Sequence, residues 1–354
     1  MGEMTVRELA EAIWQLDPDS SQEAAQRQGQ LTKPSGSLGR LETLSLQLAG
    51  ILGRDRPRIA QKAVIVAAGD HGVVAQGVSA YPQSVTAQMV KNFLAGGAAV
   101  SVMAKHAGVR LVIVDAGVAG DLPPTPGLRS LGIGKGTADI SKGPAMTRGQ
   151  AEKAIIEGAY IAQEISRQGV DLIGLGDMGI GNSTSAAAVV SAVTGERPEN
   201  TTGRGTGRTD AELQAKIRVV QKALDVNKPR PTDSVDVLAK VGGFEIAVLA
   251  GAILGAAEAR RPVVLDGFIT GAAALIAASI CPLARDFMIA SHRSPEAGHG
   301  VILDYLRLKP LLDLDLRLGE GTGAVLAMGI VEAAAATLRE MATFEDAGVA
   351  NRAG

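Results

Sequence analysis

The carboxyl group with the clearest potential for chemistry is that of Glu320, which lies between two glycines in residues 316–323. An aliphatic helical stretch follows from about Ala324, so this acid is expected to have apolar surroundings. Burial in such surroundings disfavours the charged form of a carboxyl group and raises its pKa. A group of this kind can accept a proton near neutral pH. An acid that only stabilises the positive end of a helix dipole shows the same pattern, so both interpretations stay open here.

Residues 174–179 form a second candidate site, because they follow an apolar run and have the spacing G-x-G-x-x-G. In a dinucleotide-binding protein, an acidic residue follows about 20 residues later. Residues 194–198 have the pattern of a loop there instead. The next helix begins with Asn182, Ser183 and Thr184, which are typical capping residues. Free N–H groups and two hydroxyls at a helix N-terminus favour a phosphate site, with NAD binding and a plain glycine turn as the alternatives.

The loop of residues 202–208 carries three alternating glycines and two arginines, so we expect it to be mobile and cationic. It is not a Walker loop, because no Lys-Ser or Lys-Thr pair follows a G-x-x-x-x-G spacing. A contact to a phosphate or carboxylate and a flexible turn explain the loop equally well. Lys216 follows about two helical turns later and could face the same site.

The elements that position these residues follow a pattern of short apolar runs and longer aliphatic stretches. The runs lack regular alternation, which is typical of parallel strands covered on both faces. Strands that alternate with helices predict an α/β fold, a Rossmann-like parallel sheet flanked by helices. Ligands bind outside the carboxyl ends of such strands, so the polar loops after the runs predict the rim of one active site. The predicted strands are residues 62–68, 110–114, 170–175, 262–265 and 287–290, and the predicted helices are residues 84–106, 147–168, 182–193, 211–224, 244–259 and 271–280.

Residues 5–16 and 38–52 have helical periodicity, and the polar segment between them shows no strand pattern. The 354 residues include 44 glycines and 46% apolar residues but only 3% aromatic ones, so the core must consist of aliphatic side chains. A net charge of −2 and few aromatic rings argue against nucleic-acid binding. Balanced charge and high apolar content argue against disorder.

The single cysteine, Cys281, excludes an internal disulfide framework and fits a reducing compartment. The four histidines, at positions 71, 106, 292 and 299, have no metal-ligand spacing, so no metal site is expected. His71 and His292 follow predicted strands and are candidates for the polar lining of the site. The charged N-terminal stretch has no signal-peptide pattern. The uncharged residues 267–284 are predicted to be a buried strand end and helix rather than a membrane span, because they contain glycines and a proline.

The ordered motifs resemble those of the nicotinate-nucleotide–dimethylbenzimidazole phosphoribosyltransferases of cobalamin nucleotide-loop assembly. This resemblance implies a large α/β catalytic domain over residues 60–330 and a small helical domain formed by residues 1–59 together with 331–354. It also implies a cytoplasmic homodimer without a metal or organic cofactor. The matching segments are residues 33–42, 69–73, 77–82, 85–90, 96–99, 176–184, 242–245, 265–268, 291–294 and 318–323.

The resemblance further implies that nicotinate mononucleotide and 5,6-dimethylbenzimidazole react to give α-ribazole 5′-phosphate and nicotinate, with Glu320 as the catalytic base. The position of Asp177 is often glutamate in the family, so the carboxylate has a shorter reach here. We expect the flat base to contact Ser79, Tyr81, Gln88 and Leu318. We expect the nucleotide and its phosphate to contact Asp177, Gly179, Gly181, Asn182, Ser183, Thr184, Gly205, Lys216 and Ser291. An NAD-dependent oxidoreductase and a nucleotide-binding regulatory protein are the alternative hypotheses, and neither nucleic acid nor a membrane is an expected partner.

Overall fold

The computed structural model describes residues 4–205 and 209–350, in which six parallel strands form one sheet. The sheet order is β3-β2-β1-β4-β5-β6. The chain therefore builds outward in one direction from β1 to β3 and in the other from β4 to β6. Ligands in open α/β sheets bind at the carboxyl edge beside such a switch point, which here separates β1 from β4. The strands are β1 (Lys62–Gly69), β2 (Arg110–Gly117), β3 (Leu128–Ser130), β4 (Leu172–Met178), β5 (Val263–Leu265) and β6 (Met288–Ala290).

Helices cover both faces of the sheet, and in the described part of the chain two short 3₁₀ helices, Gly72–Gln76 and Pro282–Phe287, connect elements. The α-helices of the described residues are α1 (Val6–Glu11), α2 (Pro18–Gln30), α3 (Arg40–Leu52), α4 (Ser84–Ala95), α5 (Ala99–His106), α6 (Arg148–Arg167), α7 (Asn182–Thr194), α8 (Pro198–Thr201), α9 (Asp210–Asn227), α10 (Ser234–Val241), α11 (Phe244–Glu258), α12 (Phe268–Ile280), α13 (Ala297–Leu306), α14 (Thr322–Glu340) and α15 (Phe344–Ala347).

The hydrophobic core consists of one large cluster on each face of the sheet, as the runs without alternation predict. In β1, Ala63, Ile65 and Ala67 belong to the cluster that contains α6, α7, α11 and α12. Val64 and Val66 belong to the opposite cluster, to which α3, α4, α5 and α14 contribute. Near the N-terminus, α1 joins the first cluster, whereas α3 contributes Leu44 and Leu48 to the second cluster and Ile51 to the first.

The parallel α/β fold is confirmed, and all five predicted strands are present, but the sequence missed several elements. Residues 84–106 do not form one helix, because Gly96 adopts a left-handed conformation with φ of 81° and ends α4. The polar segment after residue 16 contains α2, which Asp17 caps and which buries only Ala24 and Gln28. So few buried positions leave no apolar stripe to detect. The short edge strand β3 was also missed, because it has three residues and pairs with β2 alone.

The rejection of residues 267–284 as a membrane span agrees with the geometry of α12. This helix has 13 residues, and Phe268–Ala277 are buried, whereas a span needs about 20 residues. Among the described residues, α14 alone is long and apolar enough to cross a membrane by composition. Just over half of α14 is buried inside the protein, where it packs against α3, α5, β4 and β5. Packing of this kind is typical of a core helix.

The close packing of α6 against α11, on the first face, depends on glycines at the crossing. A Cβ atom added at Gly251 would collide with the carbonyl oxygen of Ile155, and one added at Gly158 would collide with that of Val248. The two backbones therefore touch directly. A methyl group at either position cannot be accommodated without separating the helices.

We predict that Gly251→Ala lowers the free energy of unfolding by about 1–3 kcal/mol or more, because overpacking forces backbone shifts. Gly329→Ala is the matched control, since Gly329 lies in α14 with no atom near its added Cβ. That substitution should stabilise the protein by roughly 0.5–1 kcal/mol, because alanine has the higher helix propensity. Urea unfolding of the two variants tests both values, and equal effects would contradict the proposed close contact.

Candidate active site

Loops from several strands meet at the carboxyl edge of the sheet around the turn that carries Glu320. The backbone of this turn lies against β4, because the N–H of Glu320 donates to the carbonyl of Asp177 at 3.2 Å. Gly176 permits this approach, since an added Cβ would collide with the carbonyl of Glu320. Gly174 faces the side chain of Met328 in the same way, with 2.6 Å between its added Cβ and the Cε atom. The glycines at 174 and 176 therefore lie within a strand and accommodate α14.

This placement contradicts the dinucleotide fingerprint at residues 174–179. In that fingerprint the glycines form the tight turn between a strand and a helix and approach a pyrophosphate. Here Gly174 and Gly176 are part of β4 itself, and protein atoms fill the space beside them. The NAD hypothesis is therefore wrong for this segment.

Glu320 combines burial with an unusual backbone conformation. Its φ is 64°, between Gly319 at 82° and Gly321 at 93°, so three consecutive residues are left-handed. For a residue with a Cβ this conformation costs roughly 1–2 kcal/mol, and such strain is concentrated at functional sites. The side chain is only 6% exposed, and its Oε2 accepts a long hydrogen bond of 3.4 Å from the N–H of Val100 in α5. Burial raises the pKa of Glu320, and the bond from Val100 offsets part of this shift.

Asp177, at the end of β4, is a second buried carboxyl group beside this turn. It is 7% exposed, and its Oδ2 accepts a hydrogen bond of 2.9 Å from Nδ2 of Asn182. The pKa of Asp177 lies well above its usual value, first because of burial and then because of the negative charges of Asp266, Glu245 and Glu320. The structure therefore brings together the two acids that the sequence selected.

Asp266, directly after β5, is a third buried acid, which the sequence placed only in a rim loop and not among the site residues. Its carboxylate accepts backbone hydrogen bonds from Gly321, Gly323 and Ala324, at 3.0, 2.7 and 3.2 Å. Burial raises the pKa of Asp266 to about 7, although these three bonds act in the opposite direction. An acid immediately after a buried strand was the signal that could have identified it.

Three of the residues selected for the nucleotide and its phosphate, Ser183, Gly205 and Lys216, come together between α7 and α9. The Nζ of Lys216 donates to the hydroxyl of Ser183 at 2.9 Å and to the carbonyl of Gly203 at 3.3 Å, and the lysine is almost fully buried. An added Cβ at Gly205 would be 3.4 Å from Nζ of Lys216 and 3.4 Å from Oγ of Ser183. Of the cationic loop, Thr206, Gly207 and Arg208 lie outside the described residues.

The turn before α7 is equally compact. An added Cβ at Gly179 would collide with the carbonyl of Gly69, and Gly181 is left-handed with φ of 93° at the N-terminus of the helix. Thr184 is fully buried, and its hydroxyl has no hydrogen-bond partner among the described residues. Ser183 therefore presents its hydroxyl to Lys216, whereas Thr184 lies inside the helix packing.

Ser291 and His292 lie in the wall behind Asp266. The hydroxyl of Ser291 donates to the carbonyl of Asp266 at 3.0 Å and lies 2.9 Å from Nδ1 of His292. Both side chains are buried. The structure thus places Ser291 behind Asp266, where its hydroxyl bonds within the protein, and not with Ser183 and Lys216.

His71 is fully buried and does not line an open surface, contrary to the expectation from its loop. Its Nε2 lies 2.7 Å from Oε1 of Glu245, and its Nδ1 lies 3.0 Å from Oγ of Ser185. These groups resemble a nucleophilic triad, but Ser185 has no exposed surface and cannot meet a substrate. The cluster instead ties the end of β1 to the first turns of α7 and α11.

The residues selected for the flat base lie at the surface. Tyr81 is 52% exposed and Leu318 is 58% exposed, while Gln88 projects from the outer face of α4. Ser79 is half-buried, and its hydroxyl accepts from the N–H of Tyr81 at 3.2 Å. Leu318 precedes Glu320 by two residues, so the same turn carries an exposed apolar side chain and a buried carboxyl group.

A large groove of about 1280 Å³ lies elsewhere, between α1, α6 and the ends of α10 and α12. It is lined by none of the residues selected from the sequence. In residues 4–205 and 209–350, no group of three or more His, Cys, Asp or Glu side chains is arranged to hold a metal ion.

Comparisons with known proteins first identify the class of protein to which this chain belongs. The family model described as DBI_PRT, phosphoribosyltransferase, matches residues 13–349. The nicotinate-nucleotide–dimethylbenzimidazole phosphoribosyltransferase of Chloroflexus aggregans is 58% identical over 340 residues, which is 96% of each chain. The protein of that name from Geotalea uraniireducens is 51% identical over 97% of this chain and 98% of its own. The crystal structure of CobT from Thermus thermophilus has a TM-score of 0.91 at 48% identity, covering 95% of this chain and 100% of that one.

The chain therefore belongs to the nicotinate-nucleotide–dimethylbenzimidazole phosphoribosyltransferase family. The resemblance of the ordered motifs is confirmed over nearly the whole length.

We predict that Asp177→Asn raises the free energy of unfolding relative to the wild type, by an amount that grows with pH above about 4. The pKa of Asp177 in the folded protein lies well above its ordinary 3.8. Its stabilising contribution is therefore complete below that ordinary value and is lost as pH rises toward the raised pKa, at about 1.4 kcal/mol for each pH unit between the two. Asparagine does not ionise, so the free energy of unfolding of the variant does not fall with pH for this reason.

Urea unfolding between pH 4 and 8 measures this difference. Asp313→Asn, at an exposed position, controls for the removal of a charge as such. A stability gap that does not change with pH would contradict the burial of an ionisable Asp177.

Proposed function

We propose that this chain transfers the 5-phosphoribosyl group of nicotinate mononucleotide to 5,6-dimethylbenzimidazole, in cobalamin biosynthesis, with Glu320 as the general base. The buried carboxyl of Glu320 at the carboxyl edge of the sheet, with its raised pKa, is the observation that carries this proposal. The names of the relatives support the substrates.

The chemistry needs one proton acceptor and no acid. In nicotinate mononucleotide the pyridine nitrogen bonded to C1′ is positively charged, so nicotinate leaves with that bonding pair and needs no proton. One nitrogen of the benzimidazole forms the new bond to C1′ from the opposite face, which turns a β linkage into an α linkage. The positive charge that develops on the benzimidazole is relieved when its N–H proton passes to Glu320.

The 5′-phosphate is proposed to bind at the turn before α7, where helix N–H groups favour an anion. Lys216 would supply the positive charge, and the hydroxyl of Ser183 would lie between the helix N-terminus and the ammonium group of Lys216. A buried ammonium group bonded to a serine hydroxyl is suited to this, because bonds to charged donors are the stronger ones. The full proposed nucleotide set is Asp177, Gly179, Gly181, Asn182, Ser183, Thr184, Gly205, Lys216 and Ser291.

The benzimidazole is proposed to lie against Ser79, Tyr81, Gln88 and Leu318. Large side chains exposed at loop ends, such as Tyr81 and Leu318, are suited to covering a flat apolar ring. From the resemblance we further propose a cytoplasmic homodimer and a division into residues 60–330 and a helical part made of 1–59 with 331–354. The antiparallel bridge between Leu31 and Thr343 supports the association of the two chain ends.

Glu320→Gln should lower kcat roughly 10²–10⁴-fold, because that is the usual contribution of a general base. KM values should change little, since the amide has nearly the same shape. In the wild type, kcat should fall as pH drops through the raised pKa of Glu320, because only the ionised carboxylate accepts a proton. This acid limb should vanish in the variant. Release of nicotinate from nicotinate mononucleotide and dimethylbenzimidazole measures all of these quantities.

Glu332→Gln is the matched control, because Glu332 lies on α14, the helix that begins after Glu320, and pairs with Lys62. Its kcat should equal that of the wild type. A fully active Glu320→Gln enzyme would show that Glu320 is not the base, and an inactive wild type would exclude the transfer itself.

Lys216→Met should raise the KM for nicotinate mononucleotide roughly 10- to 100-fold, because a hydrogen bond from a charged group is lost. The KM for dimethylbenzimidazole should stay near the wild-type value. Lys222→Met, at an exposed position of the same helix, is the control. An unchanged KM for the nucleotide in Lys216→Met would place the phosphate elsewhere.

A further inference from the structure

We propose that Asp266 is the positioning residue for Glu320, because its carboxylate fixes the turn that holds the base in its left-handed conformation. This inference rests on the proposed role of Glu320. It concerns a residue at the end of β5, which is distant in sequence from the turn.

Asp266 acts as the N-terminal cap of α14, which the residues of the turn itself do not supply. The N-cap residue of α14 is Gly321, which has no side chain and so cannot cap the helix itself. Asp266 supplies the missing acceptor from another element. Its Oδ1 accepts from Gly323 at 2.7 Å and from Ala324 at 3.2 Å, and its Oδ2 accepts from Gly321 at 3.0 Å. A carboxylate at this place also interacts favourably with the helix dipole.

The backbone of Glu320 is thereby held on both sides. Its own N–H donates to the carbonyl of Asp177, and the next N–H along the chain donates to Asp266. A left-handed residue with a Cβ persists only where its surroundings determine the conformation. The carbonyl of Gly319 also accepts hydrogen bonds from the N–H and the hydroxyl of Thr322. Of the bonds that flank the strained residue, the one from Gly321 ties it to a side chain of another element, so Asp266 acts directly on the orientation of the base.

Asp266 is enclosed by protein atoms. Its side chain is buried, and its backbone carbonyl accepts from the hydroxyl of Ser291. An added Cβ at Gly323 would collide with the ring of His292, so the turn is packed closely against this wall. A carboxylate enclosed by three backbone donors has no free face for a reacting atom. Asp266 is therefore a positioning residue and not a second catalytic acid or base.

Asp266→Asn tests this role selectively. The amide oxygen can keep the two bonds from Gly323 and Ala324, which maintain the cap of α14. The amide nitrogen then faces the N–H of Gly321, and two donors repel each other. The variant thus disturbs the bond next to Glu320 and spares the helix.

We expect kcat of Asp266→Asn to fall roughly 10- to 100-fold, since small displacements of a catalytic group have effects of this size. Both KM values should stay within about threefold of the wild type, because ground-state binding is unaffected. If Asp266 acts through Glu320, adding Asp266→Asn to Glu320→Gln should change the residual kcat by less than about twofold. A merely structural defect would lower the activity of the Glu320→Gln enzyme further.

Asp171→Asn is the matched control, because one oxygen of Asp171 accepts the backbone N–H groups of Ala60 and Gln61 at the opposite edge of the sheet. It should keep wild-type kcat. Full activity of Asp266→Asn, or an additive loss in the double variant, would overturn the proposal while leaving Glu320 as the base. A fully active Glu320→Gln enzyme would refute the proposed base instead.

Amide hydrogen exchange of the wild-type protein keeps the proposal testable if Asp266→Asn does not fold. The amides of Gly321 and Gly323 should exchange at least about 100-fold more slowly than in an unstructured peptide, because both are bonded to the buried carboxylate. Exchange of the Gly321 amide at the unstructured rate would overturn the proposal.

Discussion

The contact between the Glu320 turn and strand β4 is the constraint on which the rest of the site depends. Two stretches of backbone touch there, and the absence of a side chain at Gly176 makes the contact possible. The contact sets where α14 begins and therefore where Glu320 lies. It also explains why glycine is abundant around the site: backbone must meet backbone wherever a turn is placed on a sheet edge.

The same close approach concentrates negative charge in a small volume. Asp177, Asp266 and Glu320 are all buried at this edge, and burial raises the pKa of each of them. Their surroundings nevertheless differ. Asp266 is surrounded by backbone donors, Asp177 is bonded to one amide, and Glu320 has a single long bond from Val100. Of the three, the carboxylate of Glu320 has the weakest hydrogen bonding among the described residues, which supports its proposed role as the proton acceptor.

Local patterns in the sequence predicted the strands and selected Glu320 as a candidate, because apolar runs and a glycine-flanked acid are visible in short windows. The same windows could not show α2, whose buried residues are too few to make a stripe. Nor could they show that His71 meets Glu245 or that Asp266 caps α14, since both contacts join residues far apart in the chain. Long-range pairing of buried polar groups leaves no periodic signal, so only the folded structure displays it.

Because strand β4 ends at Met178 and the Glu320 turn follows only after β5 and β6, the order of synthesis matters for this protein. A nascent chain emerging from a ribosome could complete all six strands, since β6 ends at Ala290, before the residues of the turn exist. Until the turn has been synthesised, the part of this sheet face that α14 alone covers lacks its helix, although α3, α4 and α5 already exist. Such late, non-local closure favours chaperone contact at that face. Competence for catalysis and protection from aggregation are therefore acquired in one step, when α14 docks.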